Sequence, residues 1–165
     1  MDGLCGLYSL LNFCHHKKLF VGEVRQDPEW YVFEAVEMEG LLTSYYLTRG
    51  FEVQHLHTIF ARLCRNLRLS FSPYYLDELY AQRGDHFGAL KRAISNGGAV
   101  VGGFVETKHW MLFYEMKEAS VLIYDSAPDG GRKRALVNEL TNFSPEGIAL
   151  MPSSFSLVSN DAQTH

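Results

Sequence analysis

The fold of this chain is decided by residues 109–126, which read HWMLFYEMKEASVLIYDS. Two runs rich in Val, Leu, Ile, Phe and Tyr flank the polar link Lys117-Glu118, a pattern that predicts two antiparallel strands joined by a hairpin. His109 opens the first strand and Asp125 ends the second. Antiparallel pairing therefore places both side chains at the same end of a β-sheet.

The rest of the chain shows mainly helical signals first and further strand signals later. Helical spacing, capping residues and terminal glycines predict helices over 5–16, 34–49, 56–66, 85–96 and 134–142. Strands are predicted over 51–53, 99–105 and 147–151, and a turn over 128–131. The helix over 34–49 is predicted to bury Leu42 and Tyr45. This order favours an α+β domain in which N-terminal helices pack on a C-terminal antiparallel β-sheet.

Length and composition set the broad class of the protein. The 165 residues, 47% of them hydrophobic, suffice for one domain over 1–152, followed by a polar, Ser-rich tail over 153–165 that we expect to fray. A net charge of −4 without a basic stripe argues against a nucleic-acid partner. We expect the basic run Arg132-Lys133-Arg134 to be solvated surface. Nothing in the composition indicates an oligomeric state.

Targeting and membrane segments are not visible in the sequence. No apolar run approaches the about 20 residues of a membrane span, and Met1-Asp2-Gly3 begins neither a cationic nor an apolar signal region. The three widely spaced cysteines form a poor disulfide framework and suit a reducing compartment. We therefore expect a cytoplasmic protein, or one secreted without a cleaved signal peptide.

A cysteine stands at the predicted start of the first helix, in DGLCGLYSLLN, residues 2–12. Gly3 and Gly6 bracket Cys5 and permit a tight turn into the helix, and both are candidates to line a substrate cleft. The thiolate is the nucleophilic form of cysteine, and both a helix N-terminus and a nearby imidazolium favour it. His109 is the candidate acid and base, and Asp125 is the candidate that fixes the tautomer and orientation of the imidazole. These three residues are a candidate catalytic triad.

Each member of this triad also has an ordinary structural explanation. A single cysteine is usually a small buried hydrophobe, a histidine at a strand start is usually hydrogen-bonded in place, and an aspartate before a turn usually binds the turn backbone. The joint occurrence of a nucleophile, a base and an orienting group on these elements favours catalysis over the three separate explanations.

Other residues suggest supporting roles or none. Gly102 and Gly103 lie inside a predicted strand, where glycine marks a bulge or a close approach to the backbone, and the approaching group is hypothesised to be substrate. Trp110 is predicted to wall the same cleft or to pack in the core.

The histidine clusters at 15–16 and 55–57 lack the spacing and ligand number of a zinc site, so neither a metal nor a cofactor is predicted. Cys14 and Cys64 are predicted core residues.

Three short motifs carry a resemblance to a known family. The motifs LCGLYSLLN at 4–12, KHWMLFY at 108–114 and YDS at 124–126 resemble those of the papain-like cysteine peptidase superfamily. The closer likeness is to its bacterial branch, which includes C39-like peptidases, secreted effector proteases and glutamine deamidases. The resemblance extends over roughly residues 2–127 and implies a papain-like fold with Cys5 as nucleophile, His109 as base and acid, and Asp125 as orienter.

The resemblance implies a thiol hydrolase that cleaves an amide bond of a protein or peptide through an acyl-thioester. A cysteine protease is the first expectation. A glutamine deamidase, or an inactive papain-like module that binds a protein, is the alternative. A transferase with an acyl or amine acceptor is a third possibility. One departure concerns the oxyanion hole, because superfamily members commonly carry Gln a few residues before the cysteine, and Met1 to Leu4 include neither Gln nor Asn. The Cys5 backbone N–H is one predicted donor, and the second is unassigned.

Overall fold

The computed structural model describes residues 4–19, 27–104, 109–126, 131–136, 140 and 142–157. The helices in this part of the chain are α1 (Cys5–His16), α2 (Pro28–Met38), α3 (Ser44–Arg49), α4 (Val53–Leu67), a 3₁₀ helix (Leu76–Leu79) and α5 (His86–Ser95). The strands are β1 (Phe71–Tyr75), β2 (Ala99–Phe104), β3 (Met111–Lys117), β4 (Ser120–Asp125), β5 (Gly131–Leu136) and β6 (Phe143–Pro152). Gly3, the turn residues 128–130 and the tail beyond 157 lie outside the described residues.

The described strands form one antiparallel sheet in the order β1-β6-β2-β3-β4-β5. Strands β3 and β4 are the hairpin that residues 109–126 predict, and Glu118 turns it with a φ of 52°. Met111, the first residue of β3, pairs with Asp125, the last residue of β4. Helices with an antiparallel sheet confirm the α+β prediction.

Helices cover both faces of this sheet. One face, which includes Val101, Leu112 and Ile148, packs against α1, α2 and α4. The other face, which includes Val100 and Phe113, packs against α5 and the 3₁₀ helix. Side chains of a strand alternate between the two faces, which is why neighbouring residues such as Val100 and Val101 join different cores. The N-terminal helices therefore pack on the sheet as predicted, whereas α5 lies on the opposite side.

Helix α1 begins at Cys5, as its sequence predicts. Leu4 occupies the N-cap position, and the first backbone hydrogen bond of the helix joins the Tyr8 N–H to the Leu4 carbonyl. Its apolar residues recur at helical spacing and are buried on the side that faces the sheet and α4: Leu7, Leu10, Leu11, Phe13 and Cys14. This packing fixes the direction in which the first turn of α1 points.

The predicted helix over 34–49 is wrong, because the chain breaks it into α2 and α3. Gly40 lies between them with a φ of +71°, a left-handed conformation that glycine adopts without strain. The break changes which side chains face inward. Leu42 and Tyr45 are exposed rather than buried.

Three further elements differ from their predictions. Residues 51–53 do not form a strand, because Glu52 caps α4 and exchanges hydrogen bonds with His55 in a capping box. Residues 134–136 belong to strand β5 rather than to a helix, while 137–139 and 141 lie outside the described residues. Strand β1 was not predicted at all. It pairs with β6 at the sheet edge, where Pro73 is tolerated.

Candidate active site

His109 and Asp125 form a hydrogen-bonded pair at one end of the sheet. Nε2 of His109 lies 2.6 Å from Oδ1 of Asp125, and both side chains are only about 10% exposed. His109 lies two residues before β3, and Asp125 closes β4 directly across from Met111. The structure thus brings the two residues together through the hairpin register that the sequence predicts.

The second ring nitrogen of His109 is available for chemistry. Nδ1 is buried and has no hydrogen-bond partner within the described part of the chain. Buried polar atoms are nearly always hydrogen-bonded, so this nitrogen is an exception that calls for an explanation. With Nε2 directed at Asp125, Nδ1 is the position at which a proton can be taken up or released.

Two serines link the first turn of α1 to the strand ends that carry this pair. Ser9 Oγ lies 3.0 Å from the Cys5 carbonyl oxygen and 3.5 Å from Ser126 Oγ. Ser126 follows Asp125, and its hydroxyl donates to the carbonyl of Trp110 at 2.6 Å. Trp110 in turn follows His109. The start of α1 therefore lies against the end of the sheet that holds His109 and Asp125.

Cys5 occupies the first position of α1 and is 6% exposed. Ser9 is four residues later, so the two side chains share one face of the helix, and Ser9 marks that face as the one directed at the strand ends. The N–H groups that precede Tyr8 have no carbonyl one turn earlier in the helix to bind. They place the positive end of the helix dipole beside Cys5.

Lys133 also belongs to this site, although the sequence suggested solvated surface for its basic run. Its Nζ lies 2.5 Å from Oδ2 of Asp125, the carboxylate oxygen that does not face His109. No sequence signal identifies this contact, because the residues of β5 are mostly exposed and show no apolar alternation that indicates a strand.

The predicted cleft residues have closely packed surroundings. Gly6 packs against Leu56 of α4, Gly102 faces the ring of Phe143, and a Cβ at Gly103 would collide with the carbonyl oxygen of His109. The strand register shifts between Gly102 and Phe104, so the predicted bulge is confirmed. The close approach that the glycines predict is thus made by protein groups.

Trp110 is anchored beside the pair. It is partly buried against the core shared with α1, and its Nε1 donates to the Phe51 carbonyl at 2.8 Å. This bond ties the residue after His109 to the loop before α4. A role as a wall of the substrate cleft stays a prediction.

The other cysteines and histidines have structural positions. Cys14 and Cys64 are buried core residues, as predicted, and burial raises the pKa of both thiols, that of Cys64 to about 12. His16 packs on Tyr114, and His57 stacks on Tyr75. In the described ranges, no three His, Cys, Asp or Glu side chains are grouped so that they could hold a metal ion.

The comparisons with protein families and with curated proteins return no match. No protein-family model matches the chain, and no curated protein matches it at a significant level. None of the helices in the described residues is long and apolar enough to cross a membrane.

Proposed function

We propose that this protein is a papain-like thiol hydrolase that cleaves an amide bond with Cys5, His109 and Asp125. The observation that carries the proposal is the buried His109–Asp125 pair, whose Nδ1 has no hydrogen-bond partner among the described residues. The pair lies at the end of the sheet that the Ser9–Ser126 contact joins to α1. A nucleophile, a base and an orienting group at one place are the parts that covalent catalysis needs. A cysteine protease is the specific activity that we propose.

The first half of the reaction forms an acyl-enzyme. Nδ1 of His109 takes the proton of the Cys5 thiol, while Asp125 accepts from Nε2–H and stabilises the imidazolium. The thiolate attacks the carbonyl carbon, and the carbonyl electron pair moves onto oxygen, which the Cys5 backbone N–H can bind. The intermediate then collapses, the C–N bond breaks, and the imidazolium gives its proton to the departing amine. A thioester on Cys5 results.

The second half regenerates the thiol. Nδ1 of His109 removes a proton from water as the water oxygen attacks the thioester carbon. The C–S bond breaks, the carboxylic acid leaves, and the imidazolium returns its proton to sulfur. Hydrolysis of a glutamine side-chain amide would follow the same steps and release ammonia. An assay that reads both new peptide N-termini and ammonia therefore separates a protease from a deamidase.

The test is alkylation of the native protein by iodoacetamide between pH 5 and 9, with the labelled residue located by mass spectrometry. We expect Cys5 to react at pH 6 at least about tenfold faster than in His109→Ala, because the imidazole promotes thiolate formation. Cys14 and Cys64 are internal controls, since their raised pKa values keep them protonated throughout this range. Circular dichroism of the variant establishes that it is folded.

The opposite result has a clear meaning. Labelling of Cys5 only at alkaline pH, at a rate indifferent to His109→Ala, would overturn the proposed catalysis. The resemblance would then be one of fold at most, and the inactive module that binds a protein partner would be the alternative to test next.

A further inference from the structure

The carboxylate of Asp125 is held by contacts at both of its oxygens. Oδ1 faces Nε2 of His109 at 2.6 Å, and Oδ2 faces Nζ of Lys133 at 2.5 Å. The Asp125 side chain is 10% exposed, whereas that of Lys133 is 53% exposed. A nearly buried carboxylate needs charged or hydrogen-bonding partners, and two donors on opposite oxygens also fix its rotation.

The strand register explains how Lys133 reaches this position. Asp125 pairs directly with Gly131, and Lys133 pairs with Ile123 on the same face of the sheet. Gly131 has no side chain, and the space where its Cβ would stand is open. A diagonal neighbour in an antiparallel pair lies within reach of a long side chain. Lys133 can therefore extend across Gly131 to the carboxylate.

The two neighbouring basic residues do not share this position. Arg132 lies over the ring of Tyr124, with its guanidinium carbon 5.1 Å from the ring centroid. Arg134 donates from Nε to Ser120 Oγ at 2.5 Å. Both point to the opposite face of the sheet, because successive residues of a strand alternate. Of this basic run, Lys133 is the residue directed at Asp125.

We infer that Lys133 is a positioning residue of the active site, which holds Asp125 so that Oδ1 stays directed at His109. This inference rests on the proposed function. Lys133 acts through Asp125 and does not touch the reacting atoms. The contact is half exposed, so its effect is expected to be moderate and to weaken as salt screens the ion pair.

The test compares Cys5 alkylation at pH 6 in the full-length wild type and in three variants. We expect Lys133→Met to lower the rate about 3- to 10-fold, and Lys133→Arg to restore most of it. Arg134→Met removes the same charge from the same strand but faces Ser120, so it should stay within about twofold of the wild type. Iodoacetamide is uncharged, so 0.5 M NaCl should slow the wild type more than Lys133→Met.

The outcomes separate this inference from the proposed function. Fast, His109-dependent labelling of Cys5 in the wild type together with an unchanged rate in Lys133→Met would overturn the positioning role alone. Equal losses in Lys133→Met and Arg134→Met would also overturn it, because net charge would then explain the effect. A wild type without activated Cys5 would remove the proposed function and this inference together. Thermal unfolding of each variant is the control for an intact fold.

Discussion

Gly103 brings strand β2 into close contact with the backbone of His109. Strand β2 passes so close to the segment that leads into β3 that a Cβ at Gly103 would overlap the carbonyl oxygen of His109. That oxygen belongs to the backbone of His109, so relief of the overlap requires a backbone shift at the residue that carries the imidazole. At the adjacent Gly102, a Cβ would meet the ring of Phe143 at 3.0 Å, and a side chain can shift by small rotations.

We predict that Gly103→Ala slows Cys5 alkylation at pH 6 by about tenfold or more, because a displaced His109 no longer aligns with Asp125 and the thiol. Gly102→Ala is the matched control, with one methyl group added one residue earlier. It should cost about 1 kcal/mol of stability through overpacking and leave the alkylation rate near that of the wild type. Equal rates in the two variants would show that Gly103 does not hold His109 in place.

At the residue scale, the sequence predicts the His109–Asp125 pair but not Lys133. To predict the pair, it is enough to recognise an apolar hairpin with one polar residue at the start of its first strand and one at the end of its second. Lys133 requires the register of β5, whose exposed residues show no apolar alternation from which a strand could be recognised. Burial of Nδ1 depends on packing around the ring and has no sequence signal.

At the scale of elements, the placement of Cys5 depends on how closely α1 approaches α4. Gly6 follows Cys5, and a Cβ there would stand 2.7 Å from Cδ2 of Leu56, which is fully buried. At a helical position, alanine is more favourable than glycine by about 1 kcal/mol, whereas overpacking a core costs about 1–3 kcal/mol. The two effects oppose each other at this position, and Leu56 decides which one is larger.

We predict that the effect of Gly6→Ala on the free energy of unfolding depends on the residue at position 56. In the wild-type background it should lower the free energy of unfolding by about 1 kcal/mol, because Leu56 has little room to move. In a Leu56→Ala background the clash is absent, so Gly6→Ala should be neutral or stabilising by up to about 1 kcal/mol. Urea unfolding of the four proteins measures this cycle. The same sign in both backgrounds would refute the close-packing explanation.

Elements with strong local signals were predictable, and those defined by tertiary pairing were not. Helix α1 has apolar spacing and a glycine-bracketed start, and α5 has Asp85, whose Oδ1 accepts from the Gly88 N–H. Strand β1 contains Pro73, which argues against a strand until its place at the sheet edge is known. The apolar pattern around Gly40 fits one long helix as well as two shorter helices, so the pattern alone does not predict the break.

At the scale of the whole molecule, two buried thiols set a limit on stability at high pH. Cys14 of α1 and Cys64 of α4 lie in the core shared by the N-terminal helices and the sheet. Burial raises the pKa of Cys64 from 9.0 to about 12, and burial, with a smaller effect of the Cys64 charge, raises that of Cys14 as well. Both thiols therefore stay protonated in the folded protein at a pH where the unfolded chain already ionises them.

The pKa values of these thiols are higher in the folded protein than in the unfolded chain. Their contribution to the free energy of unfolding is therefore fully present below about pH 9 and is lost as pH rises toward the folded pKa. Each thiol should then lower the free energy of unfolding by about 1.4 kcal/mol per pH unit above 9. We predict that the double variant Cys14→Ala, Cys64→Ala loses stability less steeply between pH 9 and 10.5 than the wild type, in urea unfolding under reducing conditions. Parallel pH profiles for the two proteins would show that the buried thiols do not control this loss.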